Sequence, residues 1–308
     1  FKQKTAYEIP KRDWSSDVCS SDLVADRFAA DGRLLLGPTA AAARLETSKA
    51  FAKAFMARHH VPTARFHTSD SADDALTVIR SGAFGFPVVL KADGLAAGKG
   101  VVIAQDRAEA EDAVTAAMTG KRFGSAGERL VIEECLTGPE VSFFVLSDGH
   151  TAMPLGTAQD HKRIFDDDRG PNTGGMGAFA PSPLVDGALH DRVMRDIVKP
   201  VIAGMAAEGA PFAGFLYVGL MLTTDGPKVI EFNVRLGDPE AQVILPRIDE
   251  PLAPLLAAAA RGALPRQQCR LSSEALVGVV LASRGYPESA ETGQPISGID
   301  EEIGRAHV

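Results

Sequence analysis

The stretch Lys228-Val229-Ile230-Glu231-Phe232-Asn233-Val234-Arg235 decides the reading of this chain. It has the residues of a strand, whose side chains alternate between faces with a period of two. Glu231, Asn233 and Arg235 are therefore expected on one face, with Val229 beside them. Ile230, Phe232 and Val234 point the other way, into apolar packing. A carboxylate, an amide and a guanidinium on one face of a buried strand are costly unless they bind something charged. The carboxylate and amide oxygens suit a hard cation such as Mg2+, which takes oxygen ligands and bridges to phosphates. The arginine suits an anionic oxygen next to that metal. An edge strand with a solvated polar face shows the same alternation, so the rest of the chain has to decide.

Composition removes several classes. The 308 residues are 45% hydrophobic and 23% charged, ordinary for a globular protein with room for two domains. The net charge of -8 argues against nucleic acid as the main partner. No apolar run is long enough to span a membrane, and no signal peptide opens the chain. Cys19, Cys135 and Cys269 are far apart and odd in number, so neither a metal site nor a disulfide framework is indicated, and a reducing cytoplasm is expected.

Two glycine-rich stretches stand out. Asp93-Gly94-Leu95-Ala96-Ala97-Gly98-Lys99-Gly100 separates the strands Phe86–Ala92 and Val101–Ala104, as a hairpin flap does. Its glycines permit positive φ and close backbone approach, so its N–H groups can sit on phosphate oxygens. Lys91 and Lys99 bring two cations to the same place. It is not a Walker A loop, because no Ser or Thr follows the lysine and a strand stands where a helix should. The second stretch, Gly170-Pro171-Asn172-Thr173-Gly174-Gly175-Met176-Gly177, reads as a loop without dinucleotide spacing. It follows the polar cluster Gln159-Asp160-His161-Lys162-Arg163, in which His161 reads as a general base or as a structural residue. Lys49 opens a helix, where anions are favoured. Ser69 is a helix N-cap candidate, and 189–208 a long amphipathic helix. A short strand is expected within 33–38, and the residues after Leu236 aim Asp238 and Glu240 back at the site.

The stretches LKADGLAAGKGVV, QDHKR, GPNTGGMGA and VIEFNVRLGDPEAQ closely resemble the glycinamide ribonucleotide synthetase (phosphoribosylamine–glycine ligase) family of the ATP-grasp superfamily. The resemblance covers nearly all of 24–301. It implies an α/β (α+β) ATP-grasp fold at 48–254, with a smaller lobe at about 62–135. A remnant of an N-terminal Rossmann-like domain is expected at 24–47 and a partial C-terminal domain at 255–301. Residues 1–23 and 302–308 resemble translated sequencing-adapter read-through, so truncation at both ends is expected.

The resemblance also implies roles. Lys49 and Lys91 would bind ATP phosphates, with Gly98, Lys99 and Gly100 of the flap closing over them. Glu133 lies on the strand to the hinge, the backbone around Glu134 and Leu136 would meet adenine, and Glu140 would take the ribose hydroxyls. Glu231 and Asn233 would ligate Mg2+ or Mn2+. Arg235 and Asp238 would hold glycine and its acyl phosphate, supported by Asp160 and the Asn172, Thr173, Gly174 and Gly175 loop. Many ATP-grasp enzymes carry another metal-binding acid on the preceding strand. Phe215–Leu222 has none, which suits the purine-pathway branch. The implied substrates are ATP, glycine and 5-phosphoribosylamine, in a cytoplasmic monomer without nucleic-acid or membrane partners. A different ATP-grasp ligase and an inactive nucleotide-binding fragment are the alternatives.

Overall fold

The computed structural model describes residues 24–94, 100–120, 124–167, 169–265, 268–289, 291–295 and 297. Both terminal stretches, Asp168 and the flap residues Gly98 and Lys99 lie outside them.

Three helices lead in: α1 (Val24–Ala30), α2 (Ala40–Thr47) and α3 (Lys49–Arg58). Ser48 separates the last two. Its backbone is extended, and its hydroxyl accepts from the Phe51 N–H, which starts α3 with a side-chain cap. A smaller antiparallel sheet follows, built from β1 (Phe66–Ser69), β2 (Val88–Ala92), β3 (Val101–Ala104) and β4 (Leu130–Glu134) in the order β1-β4-β2-β3. The helices α4 (Ala72–Ser81) and α5 (Arg107–Val114) cover it, burying Ile79 and Val114 against Val88, Leu90, Leu130 and Ile132.

The larger sheet contains β5 (Glu140–Asp148), β6 (Ala152–Phe165), β7 (Arg169–Ala180), β8 (Ala213–Thr223), β9 (Gly226–Asn233) and β10 (Leu276–Val279). Its order is β10-β7-β6-β5-β8-β9. Strand alternation puts Phe143 and Val145 on one face, under α2, α3, α6 (Gly187–Val193) and α7 (Lys199–Ala207). Phe144 and Leu146 face the other way, under α8 (Ala241–Ile244) and α9 (Leu252–Ala260). No helix among the described residues is long and apolar enough to cross a membrane.

Several expectations need correction. The α4 cap is Ser71, whose hydroxyl accepts from Asp74 N–H, because Ser69 is the last residue of β1, paired with Leu130. Residues 33–38 form no strand. The 189–208 helix is interrupted by a π-helical turn at Met194–Val198. The glycine-rich 170–177 stretch is not a loop but most of β7, paired with a β6 that runs through the whole polar cluster.

The largest correction falls on the decisive strand itself. In the β8–β9 pairing Gly219 faces Glu231, while Leu220 faces Val229. Ile230 is thus the extra residue of a β-bulge, a device that re-aims side chains next to functional sites. The simple alternation breaks there. Val229 joins Phe232 and Val234 in the core, and Ile230 turns with Glu231 toward the cleft.

Candidate active site

A cleft of about 180 Å3 opens where the two sheets meet. Lys49 and Lys53 reach it from α3, Lys91 from β2, Glu133 from β4, and Glu231, Asn233 and Arg235 from β9 and the turn after it. Gly94 and Gly100 line it from the base of the flap, held as a hairpin by the Ala92 N–H to Gly100 carbonyl bond of 2.8 Å.

The flap base is tied to the start of α3. The Asp93 carboxylate accepts from Ser48 Oγ at 3.0 Å and from the Ala50 N–H at 3.1 Å, a position that the helix dipole favours. Lys49 Nζ donates to the Gly94 carbonyl at 3.1 Å. Burial lowers the Lys49 pKa, and Glu231 opposes that shift.

Behind these groups lies a buried ion cluster. Lys53 Nζ is 2.8 Å from Glu133 Oε2, and Lys91 Nζ is 3.1 Å from Oε1 of the same carboxylate. Lys53 also donates to Thr63 Oγ1 at 2.7 Å, and Thr63 donates to the Val229 carbonyl at 2.7 Å. Lys91 donates to the carbonyl of the bulged Ile230 at 3.1 Å. The cluster therefore bonds the small sheet to both residues at the β9 bulge. Glu133 Oε1 is buried and sits beside Lys91 at ion-pair distance without a directed hydrogen bond. An N–H donor of a bound ligand would satisfy it.

Burial pushes the Lys53 pKa down to about 8, against the opposing pull of Glu133. An unfolded lysine titrates near about 10.4. Between those values the folded state holds fewer protons, so the Lys53 contribution to stability rises with pH across that window. Below about 8 both states are protonated, and the slope vanishes. The stability difference between the unaltered chain and Lys53→Met is expected to show this rise, measured by thermal unfolding from neutral pH to the unfolded lysine value.

Glu231 also borders a second, smaller recess lined by Glu140, Ser142, Asp160, Lys162 and Tyr217. Lys162 Nζ lies 3.1 Å from Glu140 and 3.7 Å from Asp160. Burial opposes the charge on Lys162, but Tyr217, Asp160, Glu140 and Glu231 together outweigh it and raise the pKa. Burial raises the pKa of Asp160 and of Glu240, the latter held by Ser142 at 3.2 Å. The strand period places Asp160 and Lys162 on the inner face and His161 on the exposed outer one, beside Phe179. The general-base reading of His161 is thereby lost. Cys135, half-buried with its thiol pKa raised by burial, has no nucleophilic setting.

The two metal candidates sit together: Asn233 Nδ2 is 3.5 Å from Glu231 Oε1, and Asn233 Oδ1 is 3.5 Å from Arg235 Nη2. Arg235 also pairs with Glu46 at 3.3 Å, and Glu46 accepts the Val234 N–H at 2.7 Å. Gly219 lies opposite Glu231, in a position too tight for a side chain. A Cβ there would lie 3.4 Å from Glu231 Cγ and 3.2 Å from the Tyr217 ring. Gly219→Val is expected to displace Glu231 and, on the function proposed below, to weaken metal-dependent nucleotide binding by about tenfold, a loss of about 1.4 kcal/mol, measured by calorimetry.

The remaining candidates are more dispersed. Glu134 is bound by Arg65, through its carboxylate at 2.7 Å and its own N–H to the Arg65 carbonyl at 3.1 Å. Leu136 is half-buried just beyond β4. Asp238 is exposed and accepts from Gln242 at 2.8 Å. Gly175 packs on the Asp238–Pro239 turn, Thr173 donates to the Lys162 carbonyl, and the Gly174 N–H meets Tyr286. Asn172 is exposed, opposite Arg163, and lines neither cleft nor recess. Sequence reasoning missed Lys53, Lys162 and Glu46. The first two were within reach, at i+4 from Lys49 on a helix and i+2 from Asp160 on a strand.

Two antiparallel lobes with a glycine hairpin beside a Glu-x-Asn strand define an ATP-grasp protein. A sequence model described as "Phosphoribosylglycinamide synthetase, ATP-grasp (A) domain" matches residues 47–241. The chain belongs to the phosphoribosylglycinamide synthetase family, through its ATP-grasp domain.

Among similar proteins, phosphoribosylamine–glycine ligase from Xylella fastidiosa is 52% identical over 278 residues, covering 90% of this chain and 64% of the relative. The Vibrio cholerae protein of that name is 50% identical, with coverage of 90% and 64%. The crystal structure of phosphoribosylamine–glycine ligase from Thermotoga maritima matches with a TM-score of 0.75 at 36% identity, covering 83% of this chain and 64% of that one. A Campylobacter jejuni biotin carboxylase, at 19% identity and TM-score 0.67 over 84% of this chain and 56% of its own, shares the fold alone. The chain thus spans 64% of the length of these curated relatives.

Proposed function

We propose that this chain forms the ATP-binding and phosphoryl-transfer core of a cytoplasmic phosphoribosylamine–glycine ligase. The complete enzyme would convert ATP, glycine and 5-phosphoribosylamine to ADP, phosphate and glycinamide ribonucleotide in purine biosynthesis. The observation that carries this reading is the convergence of Lys49, Lys91, Glu231, Asn233 and Arg235 on one cleft beside a glycine hairpin. The cleft lining has Lys49, Lys53, Lys91 and Arg235 against Glu46, Glu133 and Glu231, an excess of positive charge suited to polyphosphate.

The donor set fits Mg2+ or Mn2+. Glu231 and Asn233 offer hard oxygens, and no cluster of three acidic, histidine or cysteine ligands is found among the described residues. A metal held this way completes its shell from nucleotide phosphates and water, and it supplies charge neutralisation during phosphoryl transfer.

The protein's own work is positioning and electrostatics. Lys49, Lys91 and the flap, with Gly98, Lys99 and Gly100, hold the phosphates. Glu133, with the backbone around Glu134 and Leu136, receives the adenine, and Glu140 the ribose. Arg235 and Asp238, supported by Asp160, hold glycine, whose carboxylate oxygen attacks the γ-phosphorus as ADP leaves. The resulting glycyl phosphate is attacked by the amine of phosphoribosylamine, releasing phosphate. Of the β7 residues Asn172–Gly175, Gly175 acts through the Asp238–Pro239 turn on which it packs, and Thr173 through the Lys162 carbonyl. In a complete enzyme carrying this chain, ADP release with phosphoribosylamine and a panel of amino acids tests the reading. Turnover with glycine and none with alanine, serine or aspartate is expected; equal turnover with another amino acid would assign a different ATP-grasp ligase.

A further inference from the structure

Lys91 has competing obligations. Its ammonium is 3.1 Å from Glu133 and 3.1 Å from the Ile230 carbonyl, so both neighbours hold it within the protein. A phosphate-binding lysine has to leave such partners. If Lys91 were the sole counter-ion of Glu133, leaving would strip a carboxylate whose side chain is only 4% exposed, and a bare buried charge is strongly unfavourable. Lys53 removes that obstacle. Its ammonium grips the other carboxylate oxygen at 2.8 Å, from a side chain only 3% exposed. Its hydrogen bond to Thr63 keeps it facing inward, and Thr63 is anchored on the Val229 carbonyl.

We propose that Lys53 is a positioning residue, the standing counter-ion of Glu133, whose presence lets Lys91 transfer from that carboxylate to a nucleotide phosphate. This rests on the ATP-site reading above. The exchange makes and breaks no covalent bond. Lys91 gives up one ion pair for another, while the Lys53–Glu133 pair persists. The bond from Thr63 to Val229 keeps Lys53 registered to the β9 bulge, so the standing pair and Glu231 stay aligned across the lobes.

A double-mutant cycle on this chain, read by calorimetry with ATP and Mg2+, tests it. Lys53→Met is expected to weaken binding by about tenfold or more, because Lys91 becomes the only cation on Glu133. In a Glu133→Gln background the carboxylate no longer detains Lys91, and the same Lys53→Met change is expected to cost less than about threefold. Lys53→Arg keeps the charge and should bind within about threefold of the unaltered chain. Equal losses from Lys53→Met in both backgrounds would reduce Lys53 to a packing residue and overturn the proposal. Lysine-ammonium NMR of the unaltered chain gives a variant-free arm: nucleotide should shift the Lys91 resonance and leave that of Lys53 in place. A shifted Lys53 with an unmoved Lys91 would also overturn it. Absence of ATP binding by the unaltered chain contradicts the ATP-site reading itself, an outcome distinct from binding that ignores Lys53.

Discussion

Glu231→Ala is expected to abolish magnesium-dependent nucleotide binding and to lower turnover of the complete enzyme by at least about 100-fold. Among the described residues Glu231 is the one acid that borders both the cleft and the recess, so on the proposed reading its loss affects metal and substrate sides together. Nothing opposite it can substitute, because its strand partner is Gly219. Asn233 would remain, but a neutral amide oxygen alone holds a hard dication poorly. Glu231→Gln separates charge from shape and should retain the fold with most of the loss. Steady-state kinetics with varied Mg2+ check the claim, and unchanged activity in the alanine variant would refute the metal assignment.

Glu133→Leu is expected to destabilise the fold by about 3–5 kcal/mol, the usual cost of breaking a buried pair from one side. Here one carboxylate serves two buried lysines. Its removal leaves Lys53 with Thr63 and Lys91 with the Ile230 carbonyl, both neutral partners. The loss should also loosen the junction between the sheets, since those lysines reach Thr63 and the β9 bulge from the small lobe and α3. Urea unfolding of the two proteins measures it. A difference below about 1 kcal/mol would place the cluster among weak surface pairs, contrary to its burial.

Much of this was legible in the sequence for identifiable reasons. The Glu231–Asn233 pairing survives because both residues lie on the same side of the bulge at Ile230. Val229 lies on the other side, and no residue pattern marks an inserted residue in an apolar run. The length of β6 was hidden because Gln159 to Arg163 is polar, although alternation of Asp160 and Lys162 against His161 was there to be read. The glycines of 170–177 argued for a loop, since glycine is depleted in strands. In β7 they serve close approach: a Cβ on Gly177 would lie 2.6 Å from the Gly278 carbonyl of β10. The Lys53–Glu133–Lys91 cluster depends on contacts between residues 42 and 80 positions apart, which local pattern does not encode.

The most direct measurement is calorimetric titration of this chain with ATP, with and without Mg2+, alongside Glu231→Ala. The central claim is a metal-dependent ATP site at the junction of the two sheets. It predicts saturable binding that requires Mg2+ and disappears in the variant. Binding that is indifferent to both Mg2+ and Glu231, or no binding by a chain that unfolds cooperatively, would contradict it.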